Sequence, residues 1–133
     1  MAGRQTTTHE WWSKRRRKFE IFISRLVWDE ATHGDLGAVE RRLKILNPLR
    51  WLQIKRETVH LAKSLVAQAA FPENAADDAL HVALATTHGM HFLLTWNFTH
   101  IANAATESKI RKICENHGFD LPVICTPDQL MQI

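Results

Sequence analysis

Apolar residues recur along this chain with two alternating periods, and the alternation outlines its elements. "FEIFIS" (19–24) has the aromatic and β-branched content of a strand, and Ser24 stands where it would cap a following helix, "RLVWDEATHG". Gly34 supplies the stop of that helix and Asp35 the N-cap of the next. Leu36, Val39, Leu43 and Leu46 then repeat at helical spacing until Asn47-Pro48 breaks the run. "RWLQIK" (50–55) predicts a second short strand. "ETVHLAKSLVAQAAF" predicts a helix with Val59, Leu61, Leu65 and Val66 toward the core, closed by Pro72. Asn74 is placed to cap "AADDALHVALATTHG". "HFLLTW" follows as a strand apolar enough to be covered on both faces. "IANAATESKIRKICENHG" is a helix stopped by Gly118, "LPVICT" is a fourth strand, and Thr126-Pro127 opens a last helix, "PDQLMQI". Ahead of all these, "TTHEWWSKRRRKF" reads as a helix with Thr7 and Glu10 as its capping box.

Strands separated by helices imply a parallel sheet flanked by helices, because parallel neighbours need crossovers. The expected class is α/β, in one domain spanning residues 1–133, with no internal repeat or dividing linker. The apolar runs are too short to cross a bilayer and no charged-then-apolar leader opens the chain, so a cytoplasmic protein with no membrane partner is expected. Cys114 and Cys125 lie singly, with no paired framework, and are expected as two reduced structural thiols.

The net charge of +3 is local. Six of the 17 Lys and Arg residues (Arg4, Lys14, Arg15, Arg16, Arg17, Lys18) but only one of the 14 acids, Glu10, fall in residues 1–18, leaving 11 against 13 for the remainder. Lys14 to Lys18 could track phosphates and an exposed Trp11 could stack on a base. The same cations also suit a helix C-terminus. Trp12 is expected to be packed.

Ligands of open parallel sheets gather outside the carboxyl ends of strands. Three polar groups fall there by sequence: Glu30 on the helix after the first strand, Asp78 in the first turn of the Ala-rich helix, and Asn97 at the end of "FLLTW". A carboxylate near a helix start also has the plain explanation of the dipole. On the Ala-rich helix, Asp77, His81 and His88 share one stripe, with Asp77 and His81 at pairing distance. Asp78 instead points toward Val82, Ala85 and Gly89, a semi-buried place where a carboxylate needs an answering cation or donor. With His91 these histidines show no recognised zinc spacing.

"AADDALHVALATTHGMHFLLTWN" resembles the signature of the PIN domain, in which an acid opens "DALHIA", a helix ends in "HG" and a strand "LLTW" closes on an acid or Asn. "FISRLVWDE" resembles the family's second acidic segment, and "HIANA" after Asn97 resembles one VapC-like subgroup; together the likeness covers roughly residues 10–131 in motif order. It implies a three-layer α/β/α fold with a parallel sheet of about four strands. It also implies a metal-dependent endoribonuclease, the toxin of a type II toxin-antitoxin system, with RNA as substrate, a cognate antitoxin and a homodimer as partners. Glu30, Asp78 and Asn97 would then bind magnesium or manganese and carry catalysis, with Trp11 and Lys14, Arg15, Arg16, Arg17 and Lys18 as an RNA-binding surface. The physical ground for a cation is repulsion: two carboxylates about 4 Å apart repel by about 4 kcal/mol at an effective dielectric near 20.

The family's first, central strand and its acid have no counterpart ahead of Thr7. Weakened metal affinity and impaired activity follow from the resemblance. So does a loss of about 10 kcal/mol of apolar burial, comparable with the stability of a domain. Three arrangements would answer it: the flanking strands close up, another chain covers the gap, or the gene product begins upstream of Met1, which is the expectation. The alternative function is a non-catalytic PIN-like module that binds RNA or an antitoxin through the basic helix.

Overall fold

The computed structural model describes residues 10, 12, 18–95, 104–126 and 129. The chain is mixed α/β: β1 (Phe22–Ser24), α1 (Arg25–Ala31), α2 (Leu36–Leu46), β2 (Arg50–Leu52), α3 (Arg56–Ala67), a single 3-10 turn (Glu73–Ala75), α4 (Ala76–Thr87), β3 (Phe92–Leu94), α5 (Ala104–Asn116) and β4 (Val123–Cys125). Of the first and last expected helices the described residues are Glu10, Trp12, Lys18, Phe19 and Gln129, of which Glu10, Trp12 and Gln129 are α-helical.

Local chemistry sets most boundaries as expected. The Ser24 hydroxyl accepts from the Val27 amide at 3.4 Å and opens α1, and the Asp35 carboxylate accepts from Ala38 at 3.1 Å and opens α2. Gly34 and Gly118 take left-handed φ values of 105° and 83° where helices stop. Thr126 and Gln129 exchange reciprocal bonds, Gln129 N to Thr126 Oγ1 at 3.2 Å and Thr126 N to Gln129 Oε1 at 3.0 Å, which is a capping box. Asn74 is no cap: it sits inside the 3-10 turn, and Ala75 precedes α4 with no side-chain bond. Nor does Pro72 close α3, which ends at Ala67; there the Leu65 carbonyl accepts from both Ala70 and Phe71.

The core lies between helices. Leu61 and Leu65 of α3, Ala79, Val82 and Ala83 of α4, and Ile110, Ile113 and Cys114 of α5 form one cluster with Phe71 and Leu121. From Ala79 to Thr87, α4 is buried except at Leu80 and His81, so it is the central helix, and its alanines let α3 approach closely. Thr58, not Val59, is the buried residue of α3's first turn; Val59 is 37% exposed. A hydroxyl has one hydrogen, and that of Thr87 goes to the Ala83 carbonyl at 2.8 Å. Thr58 therefore donates to Thr87 across 2.9 Å, tying the start of α3 to the end of α4.

Among the described residues the four strands form two parallel pairs rather than one sheet. β1 pairs with β2 in the register Phe22 to Arg50 and Ser24 to Leu52, and β3 with β4 in the register Phe92 to Val123 and Leu94 to Cys125. The strands flanking the expected gap thus do not close up. The pairs meet through side chains instead. Phe19 sets its ring edge-on to Phe92 at 5.8 Å, and Trp12, Phe19, Ile21 and Phe92 pack around Cys125. Side chains interdigitated in this way hold two backbones beyond the roughly 4.8 Å spacing of a ladder. The strands are also less covered than their composition implies: Leu94 is 36% and Val123 56% exposed.

Cys114 and Cys125 are free and buried, as expected. Burial pushes both thiols above the ordinary range. Their contribution to stability is complete below the unfolded thiol's value, about 8.5, and is lost as pH rises through the raised folded value. At pH 8 the native protein should resist iodoacetamide and take up two equivalents once unfolded in urea. Full native labelling within minutes, read by mass spectrometry, contradicts the buried placement.

Candidate functional site

The two candidate carboxylates within the described residues, Glu30 and Asp78, lie on separate helices. Glu30 lies in the last turn of α1, the helix opened by Ser24, and its side chain is 63% exposed. The end of that helix is fixed from α2, where Arg42 donates to the Ala31 and His33 carbonyls and so places a cation at the negative pole of α1. Asp78 lies in the first turn of α4 and is half-buried, while Val82 and Ala85, one and two turns along the face it shares, are buried. That matches the orientation read from spacing.

The contact that joins them was not legible in the sequence. His81 of α4 and Glu30 of α1, 51 positions apart, meet with Nε2 3.0 Å from Oε1. An ionised carboxylate can only accept, so Nε2 carries the hydrogen and donates. Residues three and four apart on a helix are neighbours on its surface, so Glu30 is held against α4 within one turn of both Asp77 and Asp78. The expected pair of Asp77 with His81 gives way to this bond, because His81 turns to the longer-range carboxylate. The other histidines of the stripe are dispersed as well: His88 donates from Nε2 to the Gln53 carbonyl at 2.7 Å, and His91 is exposed.

No family model, curated protein or solved structure matches the chain. What the site can do therefore rests on its own chemistry. Glu30 and Asp78 offer oxygen donors from two separately anchored helices, one of them well exposed, the kind of donor a hard divalent cation takes. Among the described residues no three His, Cys, Asp or Glu side chains gather to hold a metal ion. Asn97 lies outside the described residues, as do Trp11, Lys14, Arg15, Arg16 and Arg17 of the basic surface; Lys18 is exposed. Trp12 is half-buried, packed as expected.

A concavity lies elsewhere, between the ends of α4 and α5 and the starts of β3 and β4, lined by Thr86, Met90, His91, Phe119 and Asp120 among others. Asp120 is the one carboxylate among its lining residues. Among the described residues, no helix is long and apolar enough to cross a membrane.

Proposed function

We propose that the chain is a metal-dependent endoribonuclease of the PIN type, a VapC-like toxin with the α/β/α arrangement of that family, in which Glu30 and Asp78 hold magnesium or manganese beside Asn97. The observation that carries this reading is the His81 to Glu30 bond at 3.0 Å, which sets the first carboxylate against the helix bearing the second. When bound, the cation readies a water and steadies charge on the scissile phosphate. The chain's own part is to hold Glu30 by α1 and His81, and Asp78 by the first turn of α4, so that neither carboxylate must be recruited. The exposed side of Glu30 leaves room for an RNA backbone and, when the toxin is restrained, for an antitoxin segment lying across the acids. RNA, the antitoxin and a second copy of the chain are the proposed partners, and the cytoplasm the proposed setting.

The full chain incubated with RNA should cut it with magnesium or manganese and stop when the ions are chelated. RNA bound without cleavage under either ion, with affinity that falls steeply between two salt concentrations, is the outcome of the non-catalytic module instead. Cleavage that continues in chelator removes the metal from the reading.

A further inference from the structure

The geometry points to the concavity at the ends of α4 and α5 as a binding site for a small organic cation, an ammonium or guanidinium on an apolar body. That site does not depend on the reading of Glu30 and Asp78. The two helices end there together, outside the amino ends of β3 and β4, and each is turned by a left-handed glycine, Gly89 at φ 68° and Gly118 at φ 83°. Nothing lies within 4 Å of where a Cβ would stand on either glycine, so the space beside both helix ends is open. A helix carries roughly half a negative charge at its carboxyl end, and a Lys or Arg near the last turn answers it. The ends of α1 and α2 are answered in that way, by Arg42 and Lys44. Those of α4 and α5 are not: neither last turn has a Lys or Arg, and that of α5 adds Glu115. Asp120 brings a full negative charge to the same place; it is exposed and enters none of the ion pairs of the described residues. No Lys or Arg stands among the described lining residues.

Charge and lining together decide the class of ligand. An anion meets two negative helix ends and a carboxylate. A bare divalent ion meets one carboxylate where it wants about six oxygens, and among the described residues no three His, Cys, Asp or Glu side chains gather. The concavity measures about 670 Å³, within the roughly 300–1,000 Å³ of small-molecule sites. Met90, Phe92 and Phe119 line it and are half-buried, so an apolar body has surface to cover. Phe119 adjoins Asp120 in the chain, and the face of an aromatic ring attracts a cation. Thr86, 1% exposed, also lines the concavity, and its hydroxyl has no hydrogen-bond partner among the described residues. A buried hydroxyl left unbonded is costly, and a ligand N–H that reaches it removes the cost.

The test is titration of the full chain with phenethylammonium and with its neutral counterpart 2-phenylethanol, followed in the amide resonances of Gly89, Met90, Phe119 and Asp120, together with a thermal melt of each protein. Phenethylammonium should shift those amides saturably in the millimolar range, and 2-phenylethanol should bind several-fold more weakly. Asp120→Asn, an exposed change that keeps the size of the side chain, should melt with the wild type and lower phenethylammonium affinity by about fivefold, the weight of one exposed ion pair. Nα-acetyl-lysine methylamide presents the same ammonium as a protein side chain would, and should bind no better than the free amine. Tighter binding of that derivative overturns the free amine as the ligand. Equal binding of 2-phenylethanol, unchanged affinity in folded Asp120→Asn, or no saturable shift at these amides overturns the cation site. The alcohol comparison is made on the wild type, and so decides the matter if the variant does not fold.

Discussion

Phe71→Ala should destabilise the protein by about 3–5 kcal/mol, a large part of a typical net stability of about 5–15 kcal/mol, and lower the melting temperature by roughly 10–20 °C. Phe71 is 1% exposed and heads the fully buried side chains by volume. It sits in the turn between α3 and α4 and is part of the same cluster as Leu61, Leu65 and Ile110. The turn cannot easily collapse into the space left, because the Phe71 amide is tied to the Leu65 carbonyl at 3.2 Å and Pro72 follows at once. Leu36→Ala is the matched control: Leu36 is 82% exposed, and its loss should cost under about 0.5 kcal/mol. Urea unfolding of the three proteins checks the pair. Equal losses for Phe71→Ala and Leu36→Ala would place the core elsewhere.

The contrast between Phe71 and Leu36 also shows what the sequence could and could not say. Capping is a matter of three or four residues, so Ser24, Asp35 and Thr126 announced helix starts that their hydrogen bonds bear out. Helical periodicity likewise identified α2, yet Leu36, Val39, Leu43 and Leu46 are all exposed or half-buried, because a stripe records which face is apolar and not whether anything lies against it. Val59 and Thr58 are adjacent on α3, and their exchange of roles was set by Thr87, 29 residues away.

Strand pairing was the least legible feature. Each strand has three paired residues, and composition cannot tell a strand with one neighbour from a strand with two. The apolar run at Phe92–Leu94 fits a strand covered on both faces. In the structure it has β4 on one side, and the Phe19 ring against its first residue. The candidate site divides in the same way. Glu30 and Asp78 were picked out by their positions after strands and at helix starts, which are local properties. The histidine that bonds Glu30 to α4 was visible only as a member of a polar stripe, since nothing within its own helix points to α1.

Asp78→Asn should lower RNA cleavage by at least about a hundredfold, equivalent to about 2.7 kcal/mol of lost transition-state stabilisation, while leaving the fold intact. The substitution keeps shape and hydrogen-bonding capacity but removes the charge that a divalent cation needs. Asp78 has a competing, purely structural explanation, because a carboxylate in the first turn of α4 is favoured by the helix dipole, typically by 0.3–1 kcal/mol. Asp77 separates the two. It stands in the same turn and is exposed, so Asp77→Asn removes a similar dipole interaction while leaving the half-buried Asp78 carboxylate in place. Both variants should therefore melt within a few degrees of the wild type, and only Asp78→Asn should lose single-turnover cleavage in manganese. If the two cut alike, Asp78 serves the helix and not the reaction. If Asp78→Asn fails to melt cooperatively, its half-buried place on the central helix matters more to folding than the dipole argument allows, and the activity comparison passes to Glu30→Gln on exposed α1.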